Sequence, residues 1–287
     1  MFGKMTMLKK KHASWKLREK VKKSKLRYGL NKVKRDEEII ISLTSYGERL
    51  KVLDNCLKSI LLQTLKPDKI IVWLDCNTTK EQLLDNLIEY EKYGVEFRFM
   101  KQNLRPHMKY FYAMKEFKNS IIITVDDDLI YPQDLISSLY GAHKEHPKAV
   151  CARRVHEITL NKNNEINPYK KWNFESTDIE KPSFKLIATG VGGVLYPPNS
   201  IDERGLDEEL IKKLCLGADD IWLKVMEVLA GTPVCWVKNN MIHPPIVNDT
   251  QNEALNISNV SNNQNDEYLK NILEYFSVSS QQLINGK

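Results

Sequence analysis

The chain alternates between two hydrophobic rhythms. Residues 39–43, 70–74 and 121–125 are short, continuous apolar runs rich in isoleucine and valine. Such runs predict strands buried on both faces. Between them the apolar spacing is helical. Over 50–65, Leu53, Leu57, Ile60 and Leu61 fall on one face, and Lys66-Pro67-Asp68 breaks the pattern. A second helix is expected over 81–93, stopped by Gly94. A third strand follows at 95–100. A third helix is expected over 107–117, after the loop Asn103-Leu104-Arg105-Pro106. The order is β-α-β-α-β-α-β with short connections, which predicts a mostly parallel sheet with right-handed crossovers.

Beyond Asp128 the rhythm loosens. A helix over 132–146 ends at Pro147, and 149–152 is a short strand. Residues 156–184 carry little periodicity and many Asn, Lys and aromatic side chains, so they read as a long excursion over a site. Residues 186–196 read as one apolar strand interrupted by Gly190, Gly192 and Gly193, which permit a tight turn or close backbone approach to a ligand. No Gly-Lys-Ser/Thr follows, so this is neither a P-loop nor a dinucleotide fingerprint. A helix over 206–214 precedes Gly217-Ala218-Asp219-Asp220 and a strongly apolar helix from Ile221. Residues 232–237 form a strand, and Ile242-His243-Pro244-Pro245 a rigid loop. A polar, Asn-rich tail ends in an amphipathic helix over 268–276, expected to dock on the body. The organisation expected is an arm at 1–35, one folded domain at 36–250 and a tail at 251–287.

Charge changes this picture mainly at the N-terminus. Of 43 Lys/Arg and 37 Asp/Glu, residues 1–35 hold 14 basic groups and one acid, Glu19. The rest holds 29 basic and 36 acidic groups, a mildly acidic body. A helix over about 12–28 is plausible in the arm. Three readings stay open for it: an interfacial segment on anionic lipid, a nucleic-acid contact through phosphates, or a solubilising tail. No helix-turn-helix, finger or RNA-binding motif accompanies it, which disfavours nucleic acid. No run approaches 18 apolar residues, and the N-terminus lacks an apolar signal segment. The five scattered cysteines, without C-x-x-C spacing, suit reduced thiols. A cytoplasmic protein, peripheral on the inner membrane face, is therefore expected.

The candidate chemistry begins at Asp126-Asp127-Asp128. Three adjacent carboxylates repel one another and sit badly beside an apolar strand. A hard cation, Mn²⁺ or Mg²⁺, relieves this and commonly holds phosphates too. In open α/β sheets, ligands bind at the carboxyl ends of strands. Asp219 and Asp220, opening a buried helix, suit a helix cap or a general base. Lys109 and Arg105 sit near the start of the third helix and suit a diphosphate. His243 suits a third metal ligand or a diphosphate contact.

These features together resemble the GT-A glycosyltransferases, particularly the family 2-like group. The resemblance rests on Ile41-Ser42-Leu43-Thr44-Ser45-Tyr46, on Cys56-Leu57 with Ser59-Ile60-Leu61 and Gln63-Thr64, on Pro67-Asp68-Lys69-Ile70-Ile71-Val72, on the D-x-D-like Asp126-Asp127-Asp128, and on Asp219-Asp220 in place of a Glu-Asp pair. It covers about half the chain. It implies an α/β, Rossmann-like GT-A domain that binds a nucleotide-sugar donor, commonly a UDP-sugar, with a divalent ion. By the resemblance, Thr44 and Tyr46 would flank the base, and Asp75 would hold base or ribose. Asp126 or Asp127 would meet ribose or metal-bound water, and Asp128 the metal itself. Asp220 would deprotonate the acceptor with Asp219 beside it, and the turn at 189–193 would shape the acceptor side. The Arg/Trp motif of processive members is absent, so single transfer is expected; retaining GT-A enzymes carry similar acidic runs, and inversion is favoured by the family 2-like first half. The acceptor implied is a glycan or lipid-linked glycan in bacterial surface polysaccharide or lipopolysaccharide synthesis. The Lys-, Asn- and Ile-rich composition also suits a bacterium with an AT-rich genome. The alternatives are a sugar nucleotidyltransferase, for which Thr44-Ser45-Tyr46-Gly47-Glu48-Arg49 is a poor loop, and an inactive glycan-binding or scaffolding relative.

Overall fold

A computed structural model describes residues 2–83, 85–240, 243–247 and 263–286, with side chains from residue 11 onward. Seven strands form one sheet, in the order β3-β2-β1-β4-β8-β5-β9. Four of them are the expected parallel set: β1 (Ile39–Ser45), β2 (Lys69–Leu74), β3 (Val95–Phe99) and β4 (Ile121–Thr124). β1 lies between β2 and β4, with Ile41 opposite both Ile70 and Ile123. Its apolar side chains are buried on both faces, which is why the run reads as continuous. Alternate residues feed two cores: Ile40, Ile71 and Ile122 join one, Ile39, Ile70 and Ile121 the other.

The other half of the sheet comes from β5 (Val150–Ala152), β8 (Val194–Tyr196) and β9 (Val234–Trp236). β8 runs antiparallel to β4 and β5, and β9 parallel to β5. The expected single strand over 186–196 is two strands in two sheets. β7 (Leu186–Ala188) pairs antiparallel with β6 (Val155–Glu157) in a separate ribbon. The turn Gly190–Gly192 and Gly193, at φ +82°, separate β7 from β8. A positive φ at Gly193 costs little because it has no Cβ.

The helices differ mainly at their starts. The first expected helix is a 3₁₀ turn (Gly47–Lys51) followed by α2 (Leu53–Leu61). The 81–93 helix is broken into Lys80–Gln82, α3 (Asp85–Ile88) and Glu89–Tyr93. α4 (Met108–Glu116) and α5 (Leu135–Glu145) lie within their expected ranges. α6 (Glu208–Leu214) precedes α7 (Asp219–Leu229), whose Trp222, Val225 and Met226 are fully buried. α8 (Gln264–Phe276) docks as expected, with Leu269 and Ile272 in the α7 core and Phe276 edge-on to Trp222 at 6.1 Å. α9 (Ser280–Asn285) closes the fold with a Ser279/Gln282 capping box. The Asn-rich stretch with Ile242 lies outside the described residues.

The arm helix α1 runs Phe2–Lys23, earlier in both start and end than 12–28. Its last turns touch the body: Val21 is buried with Ile130 and Val247, and Lys20 donates to Gln133 at 2.6 Å. The chain after it is pinned. Gly29 N–H donates to Tyr93 O at 3.0 Å and Asn31 N–H to Pro67 O at 2.7 Å. A Cβ at Gly29 would lie 2.1 Å from Leu61 Cδ2 and 3.2 Å from Leu61 Cα, so a larger residue here must displace the buried Leu61 side chain of α2. Among the described residues, no helix is long and apolar enough to cross a membrane.

Candidate active site

The carboxyl edge of the parallel strands gathers the expected residues. β4 is followed by buried Val125, and Asp126, Asp127 and Asp128 then leave the sheet. β1 leads into Tyr46 and the Gly47–Lys51 turn, which carries Arg49. Arg49 Nη2 lies 2.7 Å from Asp127 Oδ1 and 2.8 Å from Asp128 Oδ2, and its Nε donates to Asp127 Oδ2 at 3.2 Å. This fork neutralises part of the acidic run. Burial pushes the Asp127 pKa up to about 6, against the pull of Arg49. Burial and the Asp126 charge also raise Asp128.

Asp126 pairs with a different cation. Its Oδ1 lies 3.0 Å from Lys109 Nζ, and the same ammonium lies 2.9 Å from Asp219 Oδ2. Lys109 is 6% exposed. Burial alone would discharge it, but Asp126, Asp219 and Asp220 outweigh burial and hold its pKa well above the ordinary value. One cation thus joins the acids after β4 to those opening α7. A Cβ at Gly190 would lie 2.8 Å from Lys109 Nζ and 3.1 Å from Asp126 Oδ1, so the glycine turn seals this ion cluster.

His107 fixes where α7 begins. It is fully buried, its Nε2 donates to Cys215 O at 2.7 Å, and its Nδ1 meets the Tyr110 hydroxyl at 2.8 Å. Burial lowers its pKa to about 4, so it stays neutral. Asp220 Oδ1 accepts from Gly190 N–H at 3.2 Å. Burial and the neighbouring Asp219 raise the Asp220 pKa. Burial opposes ionisation of Asp219 too, but the Lys109 ammonium overrides it and holds that pKa low. Adjacent carboxylates with pKa values pushed apart can divide the work, one fixed in charge and one taking a proton.

A cleft of about 460 Å³ opens at the turn that carries Arg49, lined by Tyr46, Gly47, Glu48, Lys51, Asp75, Asn77, Thr78, Gln82 and Asn103, among others. Asp75, at the end of β2, accepts from Asn103 Nδ2 at 2.5 Å, Thr78 Oγ1 at 3.1 Å and Asn77 N–H at 3.2 Å. Thr44 donates to Trp73 O at 2.8 Å, and the Arg49 guanidinium stands 5.8 Å from the Tyr46 ring. Arg105 is exposed at φ +51°, in the turn ahead of α4.

His243 is placed differently from expectation. Its loop does run beside the acidic strand: Val247 N–H donates to Asp128 O at 2.7 Å, and Ile130 N–H to Pro245 O at 2.9 Å. The imidazole, however, pairs with Glu175, Nε2 to Oε1 at 2.6 Å. A charged carboxylate so close holds the ring beside Glu175. Among the described residues no three His, Cys, Asp or Glu side chains converge on a metal position. Asp126 and Asp128 still fit the mode in which a hard ion takes one or two carboxylates and fills its shell from phosphate oxygens. Lys109 meets one oxygen of Asp126 and Arg49 one oxygen of Asp128.

The sequence singles out Lys109 and the five acids; it offers Arg49 only within the poor nucleotidyltransferase-type loop Thr44-Ser45-Tyr46-Gly47-Glu48-Arg49 and gives His107 no role. The one available signal for Arg49 was a basic residue within the loop leaving the first strand.

The glycosyl transferase family 2 profile matches residues 40–194. No curated protein matches the chain. Among solved structures, the mannosyltransferase PcManGT from Pyrobaculum calidifontis, in complex with GDP-Man and Mn²⁺, is 11% identical. That alignment covers 83% of this chain and 64% of that one, with a TM-score of 0.47. S. aureus TarS 1-349 in complex with UDP is 13% identical over 67% of this chain and 55% of that one, with a TM-score of 0.44. A 4-diphosphocytidyl-2C-methyl-D-erythritol synthase is 9% identical over 76% of this chain and 96% of that one, with a TM-score of 0.47. The chain thus spans less than two thirds of the first two.

Proposed function

The chain belongs to glycosyl transferase family 2, and from that premise we propose that it transfers a single sugar from a nucleotide-diphosphate sugar, with UDP the leading nucleotide, to a glycan hydroxyl with inversion. The observation that carries this reading is Lys109, which ties Asp126 after β4 to Asp219 at the head of α7. The donor and acceptor chemistries then share one ion cluster at the carboxyl edge of the sheet.

The nucleoside lies in the cleft, with its base beside Tyr46 and Thr44 and its ribose or base edge on Asp75. The diphosphate turns toward the acidic run. Asp126 and Asp128 would hold Mn²⁺ or Mg²⁺, with Asp127 beside them, fixed by Arg49. A bound ion of this kind offsets the negative charge that builds on the leaving diphosphate. Lys109, fully charged and buried, adds a fixed positive field at the same place. Asp220 removes the proton of the attacking hydroxyl. Its raised pKa suits a base working near neutral pH. Asp219, held ionised by Lys109, keeps that proton on Asp220 rather than sharing it. The basic helix α1 lies on an anionic membrane face, which brings the enzyme to a lipid-linked glycan in bacterial surface polysaccharide or lipopolysaccharide synthesis. Arg49 in the loop after β1 is committed to two aspartates, which weighs against its serving as the phosphate-binding cation of a nucleotidyltransferase.

The test is calorimetry of UDP with and without Mn²⁺, on wild type and Asp128→Ala. The expected result is metal-dependent binding that the variant loses. Binding of GDP or CDP instead would change the donor. Binding of no nucleotide would overturn the enzyme reading.

A further inference from the structure

The β6–β7 ribbon touches the active site through a short series of contacts. Thr189 N–H donates to Arg154 O at 3.1 Å, and Arg154 Nη1 donates to Thr189 Oγ1 at 3.1 Å. The next residue, Gly190, donates to Asp220. A Cβ at Gly192 would lie 2.7 Å from Arg154 N, so the two backbones meet there. Glu175 Oε1 takes Arg154 Nη2 at 3.4 Å and His243 Nε2 at 2.6 Å. Phe174 is 46% exposed, its ring 4.6 Å from His156 and 5.5 Å from Tyr169. Tyr169 lies near enough to Asp220 that, after burial, the aspartate charge raises its pKa.

Two features here are not accounted for by packing. Glu175 has φ +54°, a left-handed conformation that is costly for a residue with a Cβ. It is held there by its own N–H, which donates to His156 Nδ1 at 3.0 Å. Backbone strain of this kind gathers at ligand sites. Arg154 Nε is buried with no hydrogen-bond acceptor among the described residues, and such groups normally find a partner.

Resting on the proposed transfer reaction, we infer that Phe174, Glu175 and Arg154 form the acceptor subsite and that it takes a neutral sugar ring. A pyranose has one apolar C–H face and a rim of hydroxyls that both donate and accept. The C–H face suits the negative face of an exposed aromatic ring. The rim suits a carboxylate and a guanidinium set side by side. Arg154 and Glu175 nearly balance each other in charge, so the pair offers an acidic or phosphorylated ring no net attraction. A sugar seated there lies next to the Thr189–Gly190 turn that holds Asp220.

The experiment is saturation-transfer NMR on the full chain with UDP and Mn²⁺ present. The probes are the methyl glycosides of glucose, galactose, mannose and N-acetylglucosamine. Phe174→Ala and Glu175→Gln are compared with wild type after their thermal unfolding is checked. At least one glycoside should receive signal from aromatic protons. That signal should fall at least fivefold in both variants, while UDP affinity stays within twofold. A wild type that binds UDP but no glycoside, or a glycoside signal indifferent to both changes, overturns the subsite and leaves the transferase reading standing. A wild type that binds no nucleotide overturns both.

Discussion

Lys109 is the side chain on which the site depends most. Removing one member of a buried charge cluster leaves the others unpaired in a low-dielectric place, at a cost of about 3–5 kcal/mol. Lys109→Met keeps length and apolar stem but strips the charge between Asp126 and Asp219. It should lower the urea midpoint by an amount corresponding to that cost, and abolish detectable transfer. An unchanged midpoint would mean that the two aspartates are not both ionised in the native state. Gly190→Ala tests the same cluster by crowding. Its Cβ would press on Lys109 Nζ at 2.8 Å, and the flexible lysine can yield. Turnover should therefore fall at least tenfold while the unfolding midpoint moves by only about 1 kcal/mol; a collapse in stability would show that the turn itself cannot shift. The acids were legible as a run because they follow an apolar strand directly. Arg49 was not, since it finds Asp127 across 78 positions, nor His107, which finds Cys215 across 108. No local pattern encodes such partners; the fold brings them together.

At the scale of elements, Glu37 joins the start of β1 to α5. It accepts from Tyr140 at 3.0 Å, meets His143 Nε2 at 3.0 Å and pairs with Lys144. The Lys144 bond, opposed by burial and helped by His143 and Tyr140, pulls the Glu37 pKa down to about 2. A lowered carboxylate pKa stabilises the fold above the unfolded value near 4.5 and loses that contribution as pH falls toward 2. The carboxylate is about one third exposed, so screening leaves it worth about 1 kcal/mol. Glu37→Gln should therefore unfold more easily than wild type at pH 7, with the gap closing by pH 2. Thermal scans across that range check it, and a gap independent of pH would assign the loss to packing. The first four strands were legible because each is a short β-branched run with both faces buried. The 186–196 run misled for the same reason: apolar character continues through Leu186–Ala188 and Val194–Tyr196, although these strands serve different sheets. The change of sheet lies in the backbone of Gly190–Gly193, and hydrophobicity does not report it.

Across the whole molecule, the basic arm is two structures rather than one tail. Residues 24–35 are part of the body: Leu26 and Leu30 pack on the second core, and Gly29 and Asn31 hydrogen-bond to it. α1 carries nine Lys/Arg and one Glu, buries Val21 near its end and leaves Trp15 57% exposed. Charge with an exposed indole suits the interface of an anionic bilayer, where each basic residue is worth about 1 kcal/mol. Cutting the chain in two places separates these roles. Deleting residues 1–14 removes Lys4, Lys9, Lys10 and Lys11 and, among the described side chains, none that is buried. It should weaken binding to phosphatidylglycerol vesicles at least tenfold at low salt, leaving the unfolding midpoint and UDP affinity unchanged. Deleting residues 1–35 also uncovers the surfaces under Val21, Leu26 and Leu30, at roughly 1–2 kcal/mol for each side chain, and should lower the midpoint as well. Vesicle sedimentation beside urea unfolding distinguishes the outcomes. If the short deletion keeps full vesicle binding, the membrane contact belongs elsewhere on the molecule. If the long deletion keeps full stability, residues 24–35 do not belong to the folded body, and the domain begins at β1.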